Sequence, residues 1–221
     1  MPMKRPLYYQ LSEYDCGMVT LLNAISYLFS REAVPPDVIK AITTYSLDAY
    51  NTDGEVGKNG TSKAAMRFIA DWLNRNGPIK GLPIYGNYYA GLHVRVKKDS
   101  PLIDAVQQGG AVILRLNYGG EHYVLATKAD TQQDYLYLFD PYLDEALKDT
   151  KGIVFVDDAP FAYNRKVPFN FFEANDAHHA YALGPVEKRE AIVYFNREQG
   201  SIAPVSFNDR QNVSKKDGSG W

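Results

Sequence analysis

The chain has 221 residues, 45% of them hydrophobic, and its 24 Lys and Arg residues against 26 Asp and Glu residues give a formal net charge of −2. A chain of this length forms one large domain or two closely joined small ones, and it can bury a core without disulfide or metal cross-links. The near-neutral charge argues against binding to nucleic acid or to a membrane surface, and the lack of a long apolar segment or signal core predicts a cytoplasmic protein.

The first half of the sequence predicts helices. Apolar residues recur at helical spacing, proline is placed where a first helical turn tolerates it, and Ser, Thr and Gly stand where helices begin and end. These signals predict a helix over 18–29, a second over roughly 36–47, a loop over 51–60, and a third helix that begins after Thr61-Ser62 and ends at Gly77-Pro78.

The second half predicts strands, because β-branched and aromatic residues cluster in short runs between turn residues. A short helix is expected at 101–108, between the first two strands. The predicted strands are 92–96, 111–116, 123–127, 135–139, 153–156 and 191–195. Helices first and strands second indicate an α+β fold with a segregated antiparallel sheet. Residues 209–221 are polar and contain glycine, which predicts a flexible tail.

Cys16 is the single cysteine of the chain, so an intramolecular disulfide is excluded. Free cysteine is most often a small buried hydrophobe. At about 100° per residue, however, Cys16 lies opposite the apolar stripe of its helix, on the side of Thr20, Asn23 and Tyr27. It also stands at the helix N-terminus, where backbone N–H groups and the helix dipole stabilise a thiolate. We therefore expect a reactive thiol outside the core.

A thiolate nucleophile requires a general base, normally histidine, that a third group orients. His122 begins one predicted strand, and Asp140 ends the next. If the two strands form a hairpin whose loop lies around 129–134, His122 faces Asp140 directly across the sheet. Each residue also has an ordinary structural interpretation, since aspartate before proline often ends a strand and histidine often lies at a strand end. Their joint placement favours a catalytic pair.

Three short motifs, Gln10 to Gly17 (QLSEYDCG), Glu121 to Val124 (EHYV) and Phe139 to Pro141 (FDP), resemble the C39 family of papain-like cysteine peptidases. This family is best known as the leader-cleaving domains of bacteriocin exporters. The resemblance covers roughly the first 145 residues. It implies a papain-like fold in which N-terminal helices pack on an antiparallel sheet. We interpret residues 1–208 as a single domain of this type, with 146–208 as a C-terminal extension of its core.

The resemblance also implies roles for four residues. Cys16 would be the nucleophile, His122 the general base and Asp140 its orienting partner. The Gln10 amide and the Cys16 backbone N–H would form an oxyanion hole, because negative charge develops on the attacked carbonyl oxygen. The expected function is hydrolysis of a peptide or protein substrate through an acyl-thioester. Two alternatives remain open: an acyl- or peptidyl-transferase with the same thioester, and a non-catalytic peptide-binding module.

No cofactor is expected, because this chemistry requires neither a metal nor an organic group. His178 and His179 stand near Glu173 and Asp176 and could suggest a metal site. Adjacent residues of a strand point to opposite faces, which disfavours shared ligation, so we expect a loop or surface pair instead.

Overall fold

The structure is a computed structural model, and it describes residues 3–117, 119–176 and 178–198. The tail predicted at 209–221 lies outside these ranges, as does the end of the domain predicted at residue 208. Among the described residues, no helix is both long and apolar enough to cross a membrane.

Within the described residues the α-helices are α1 (Cys16–Leu28), α2 (Pro36–Tyr45), α3 (Lys63–Ile79), α4 (Pro101–Gln107) and the short α5 (Phe169–Phe172). The Ser62 hydroxyl accepts a hydrogen bond from the Ala65 N–H and caps α3, as predicted. The predicted end of α3 at Gly77-Pro78 is wrong, because the Lys80 N–H still bonds the Asn76 carbonyl across the proline. Gly77 instead permits close packing, since a Cβ there would lie 2.5 Å from Ile84 Cγ2.

The strands form one sheet in the order β1-β7-β2-β3-β4-β6-β5, and every neighbouring pair is antiparallel. This arrangement confirms the predicted α+β class. The last described strand, β7, enters the sheet between β1 and β2, so the first and last described strands are neighbours. The strand bounds are β1 Ile84–Ala90, β2 Ala111–Asn117, β3 Glu121–Asp130, β4 Tyr135–Phe139, β5 Val154–Phe155, β6 Arg165–Pro168 and β7 Glu190–Asn196.

The strand predicted at 92–96 is wrong. Val94 and Val96 are buried, which gave the sequence its strand-like alternation. Their backbone groups bond side chains rather than a neighbouring strand: the Val94 carbonyl accepts from Arg189 Nη1 at 3.3 Å, and the Val96 N–H donates to Glu173 Oε1 at 2.9 Å. The true strand β1 precedes this segment and pairs with β7, far away in the sequence.

The sheet is buried on both faces. Ile113 and Leu125 belong to the core formed with α1, α2 and α3, whereas their strand neighbours Leu114 and Val124 belong to the core that contains α4 and α5. Strands covered on both sides need no polar face, which explains the continuous apolar run of β2.

The polar side of α1 lies against β3 rather than in solvent. Thr20 Oγ1 donates to the Tyr123 carbonyl at 3.0 Å, and the Tyr27 hydroxyl donates to the Thr127 carbonyl at 3.1 Å. Cys16, on the same side, is only 6% exposed. The expectation that Cys16 lies outside the core is therefore wrong. The helical period shows that this side of α1 is polar, but not whether it faces water or the carbonyl groups of β3.

Candidate active site

Cys16 is the first residue of α1, and Gly17 explains how it approaches β3. A Cβ at Gly17 would lie 2.9 Å from Thr61 Cβ and 3.2 Å from Tyr123 Cδ2, so only glycine fits without a shift. The start of α1 thus packs closely against the start of β3. The first N–H groups of a helix have no partner within the helix, so the Cys16 N–H can bond a group in front of it.

The loop before α1 is held by Asp15, which is buried. Its carboxylate makes no helix cap, but it accepts hydrogen bonds from the Leu11 N–H at 3.0 Å, and from the Ser12 N–H and hydroxyl at 2.9 Å each. The loop and the first turn of α1 are therefore tied together through one side chain.

Gln10 joins this loop to the end of β4. Its backbone N–H donates to the Pro141 carbonyl at 2.9 Å, and its Nε2 donates one N–H to the Ser12 carbonyl at 2.7 Å. Since an amide nitrogen carries two N–H groups, a second donor remains. Gln10 lines the same cleft as Cys16, which suits the pair for binding one oxygen.

His122 and Asp140 form a hydrogen-bonded pair, with Nε2 2.7 Å from Oδ1. The predicted direct pairing across the hairpin is nevertheless wrong. Leu125 faces Phe139 and the register shifts near residue 127, so Asp140 lies two positions away from the predicted alignment. A shift of two residues keeps both side chains on one face, and diagonal neighbours remain within reach of long side chains.

Asp140 is held at every polar atom. Besides His122, Oδ1 accepts from the Tyr142 N–H at 2.9 Å, and Oδ2 accepts from the Tyr181 hydroxyl at 3.0 Å. Its backbone N–H and carbonyl both bond the Asn164 side-chain amide at 2.8 Å. Burial alone would raise the pKa of Asp140, but the positive charge of His122 and these hydrogen bonds outweigh burial and lower it.

His122 is shifted in the opposite direction. Burial would lower the pKa of the imidazole, but the Asp140 carboxylate and the nearby Cys16 side chain raise it to about 10. The ring is therefore an imidazolium at neutral pH. Because Nε2 bonds Asp140, Nδ1 is the nitrogen left for Cys16. The side chain remains 17% exposed and so is open to the cleft.

The structure brings the four predicted residues together in one cleft of about 810 Å³. Its wall also carries three acidic side chains and no basic one among the described residues, and glycines line part of its rim. The lining residues are Gln10, Glu13, Tyr14, Cys16, Asn59, Gly60, Gly119, Gly120, Glu121, His122, Asp140, Tyr142, Asp144 and Leu147.

Sequence reasoning missed Asn164 and Tyr181. They lie 24 and 41 residues after Asp140 in segments without a motif, so no local signal points to them. The adjacent histidines His178 and His179 do not form the metal site that the sequence could suggest. The His179 ring packs edge-on against Phe171, with centroids 5.0 Å apart. No group of three potential metal ligands is found within the described ranges.

Two comparisons with known proteins give a match. A family model described as the Peptidase_C39 like family matches residues 3–167. Among solved structures, the chain is similar to the peptidase domain of Streptococcus ComA, a bi-functional ABC transporter involved in a quorum sensing pathway, at 13% identity and a TM-score of 0.45. That alignment covers 87% of this chain and 98% of the ComA chain. No curated protein matches the chain.

Proposed function

Because the chain belongs to the Peptidase_C39 like family, we propose that it is a cysteine peptidase that cleaves a peptide bond through an acyl-thioester on Cys16. One observation carries the proposal: Cys16, His122 and Asp140 line one cleft, His122 Nε2 lies 2.7 Å from Asp140 Oδ1, and the Cys16 side chain is near enough to raise the pKa of His122. A nucleophile, a base and an orienting carboxylate in this sequence of contacts are what acyl transfer requires.

In the resting site the Cys16 sulfur lies beside an imidazolium, which favours the thiolate form of a cysteine. His122 holds its proton at neutral pH because its pKa is raised to about 10, and the N-terminus of α1 adds further positive potential at the sulfur. Asp140 stays ionised and holds the ring in place through Nε2. The imidazolium and the N-terminus of α1 both favour a thiolate nucleophile before the substrate arrives.

In the first half-reaction the Cys16 thiolate attacks the carbonyl carbon of the peptide bond. The electron pair of the C=O bond moves to oxygen, and the Cys16 N–H and the second N–H of Gln10 stabilise this oxyanion. His122 then gives its proton to the departing amine nitrogen as the C–N bond breaks. The products are a free amine, neutral His122 and an acyl-thioester on Cys16.

In the second half-reaction neutral His122 takes a proton from water, and the resulting hydroxide attacks the thioester carbon. The C–S bond breaks, the acid is released, and the thiolate–imidazolium pair is restored. Two donors on a developing oxyanion are worth several kcal/mol together, since loss of one such donor costs about 2.7–4 kcal/mol in known enzymes.

The proposal is tested by incubating the full chain with a complex peptide mixture and identifying new termini by mass spectrometry. A parallel reaction contains hydroxylamine, which intercepts an acyl-thioester and leaves a hydroxamate at the new C-terminus. Wild type should create new termini, part of them as hydroxamates. The matched control is Cys16→Ser, which keeps the size of the side chain and loses the thiolate.

Cleavage that is equal in wild type and Cys16→Ser, or the absence of both new termini and hydroxamates, would contradict the proposal. Products in which the acyl group is joined to peptide amines, with no free acid, would identify a transferase that uses the same thioester.

A further inference from the structure

Tyr181 bonds the carboxylate oxygen of Asp140 that does not contact His122. Its hydroxyl donates to Asp140 Oδ2 at 3.0 Å, while Oδ1 bonds the His122 ring. Tyr181 is only 1% exposed, and its ring packs beside Phe172 with centroids 6.1 Å apart. Oδ1 is therefore bonded to His122 and to the Tyr142 N–H, whereas Tyr181 is the hydrogen-bond partner of Oδ2.

We propose that Tyr181 is a positioning residue for catalysis, which holds the Asp140 carboxylate in the orientation that directs Oδ1 at His122. The inference rests on the proposed peptidase function. Tyr181 lies beyond residues 3–167, which the family model matches, so a segment outside that match completes the site.

The backbone around Tyr181 is built to aim this side chain. Its φ is +59°, in the left-handed region that aromatic residues rarely adopt and that glycine would adopt without strain. The chain directly after Tyr181 is fixed, because the Ala182 carbonyl accepts from the Asn117 N–H at 2.7 Å and the Leu183 N–H donates to the Phe172 carbonyl at 2.9 Å. A tyrosine in a costly conformation points to a use for its hydroxyl.

The charges around the pair keep Tyr181 a donor. Asp140 faces the His122 imidazolium and the Tyr181 hydroxyl, Arg165 of β6 lies beside Tyr181, and Cys16 lies beyond His122. Burial first, and then the negative charge of Asp140, raise the pKa of Tyr181 well above its ordinary value. The phenol therefore keeps its proton throughout the range in which the enzyme would work.

Loss of the hydroxyl leaves the carboxylate held through Oδ1 alone and makes it easier to protonate. Both effects hold the imidazolium less firmly beside the sulfur. A less well placed imidazolium stabilises the Cys16 thiolate less, so acidification should protonate the thiolate at a higher pH. The readout is the rate of Cys16 alkylation by iodoacetamide between pH 4 and 8, measured on the full chain. In Tyr181→Phe the acid limb of this profile should move up by about one pH unit, the size expected for one hydrogen bond to a charged group.

Tyr88→Phe is the matched control. The Tyr88 hydroxyl donates to Glu190 Oε2 at 2.6 Å, so it is also a phenol on a buried carboxylate, but Glu190 does not contact His122. Its profile should superimpose on that of wild type. If Tyr181→Phe melts too early, the profile is recorded in sucrose, which favours the folded state by exclusion from its surface.

A Tyr181→Phe profile that coincides with those of wild type and Tyr88→Phe would overturn the positioning role alone. A wild-type Cys16 that reacts no faster than N-acetylcysteine at every pH would instead overturn the peptidase proposal on which this inference rests. The two failures are therefore distinguishable in one data set.

Discussion

Two consecutive residues of β3, His122 and Tyr123, each bond a buried carboxylate. Only the carboxylate bonded to His122 belongs to the candidate active site. His122 Nε2 lies 2.7 Å from Asp140, whereas the Tyr123 hydroxyl donates to Glu190 at 2.5 Å. Adjacent residues of a strand point to opposite faces, so the two carboxylates lie in different surroundings. We refer to Cys16, His122, Asp140 and Tyr181 as the cleft network, and to Tyr88, Arg115, Tyr123 and Glu190 as the closed network.

Most polar groups of the closed network bond other protein groups, whereas Arg115 Nε has no hydrogen-bond partner among the described residues. Glu190 accepts from both Tyr123 and Tyr88, and Arg115 Nη1 donates to the Lys188 carbonyl at 2.8 Å. Arg115 Nε lies 3.7 Å from Glu190, and each of these two side chains is only 2% exposed. Arg115 also forms an ion pair with Glu121 at the rim of the cleft.

Both networks contain shifted pKa values, so a shift alone does not identify the active site. Burial and Glu190 raise the pKa of Tyr123 well above its ordinary value, just as Asp140 and Cys16 raise that of His122. Only the cleft network combines a shifted group with a nucleophile and an opening to solvent. The two networks therefore differ in whether a substrate can reach a nucleophilic atom. A shifted pKa indicates a functional site only where such access exists.

The largest expected effect that separates the networks is that of Gln10→Ala. Loss of one oxyanion donor should lower the rate of peptide cleavage by a factor of about 10²–10³. The rate of Cys16 alkylation should stay within about twofold, because the thiolate depends on His122 rather than on Gln10. Gln10→Glu, which keeps the shape but removes the N–H donors, should be no more active than Gln10→Ala. Cleavage at the wild-type rate in either variant would exclude Gln10 from the oxyanion hole.

Glu190→Gln should show the opposite behaviour. The variant removes the buried one of the two carboxylates beside Arg115, which should lower the free energy of unfolding in urea by about 3 kcal/mol. Cys16 alkylation in the folded protein should remain unchanged. The control is Glu187→Gln, the same change at an exposed position, for which a loss within about 0.5 kcal/mol is expected. Slower alkylation in Glu190→Gln than in Glu187→Gln would mean that the two networks are coupled.

The third prediction concerns the pH dependence of stability. The pKa of His122 rises from 6.5 to about 10 on folding, so between these values the folded state binds one more proton than the unfolded state. The contribution of His122 is therefore complete below pH 6.5 and is lost progressively as the pH rises toward 10.

Asp140 acts with the opposite sign. Its folded pKa is lowered, so its contribution is present above 3.8 and is lost as the pH falls further. Urea unfolding of wild type and His122→Ala at pH 5, 7 and 9 measures the His122 part. The difference in unfolding free energy should shrink as the pH rises, and a constant difference would be inconsistent with the raised pKa of His122.

The smallest effect is expected at Tyr194, a third buried phenol. Its hydroxyl has no hydrogen-bond partner among the described residues, and an unpaired buried hydroxyl costs about 1–3 kcal/mol. Tyr194→Phe should therefore raise the free energy of unfolding by about 1 kcal/mol. Tyr123→Phe, which removes a donor to Glu190, should lower it by about 2 kcal/mol. Equal changes in the two variants would show that hydrogen bonding to Glu190 adds nothing to stability.

The sequence predicted three of the four residues of the cleft network, because Cys16, His122 and Asp140 lie in short motifs at the ends of helices and strands. Cys16 begins a helix with a clear apolar period, and His122 and Asp140 flank one hairpin. The predicted register was wrong by two residues, since the loop occupies 131–134 and the strand is irregular near 127. An even shift preserves the face, so the pair was found despite the error.

The remaining parts depend on contacts between distant segments, which local patterns do not carry. Tyr181 and Asn164 reach Asp140 through the fold alone. Strand β1 was missed because it contains Gly86 and pairs with β7, where a Cβ on Gly86 would lie 2.5 Å from the Tyr194 ring. Burial of Cys16 was missed because its polar neighbours on α1 bond to β3 rather than to water.

The activated thiolate is tested most directly by the rate of iodoacetamide alkylation at pH 6, since Cys16 is the only cysteine in 221 residues and all label must reside on it. We expect wild-type Cys16 to react faster than N-acetylcysteine at this pH, and folded His122→Ala to react no faster than N-acetylcysteine. Equal rates for wild type, His122→Ala and N-acetylcysteine would contradict the thiolate–imidazolium pair, and with it the proposed peptidase mechanism.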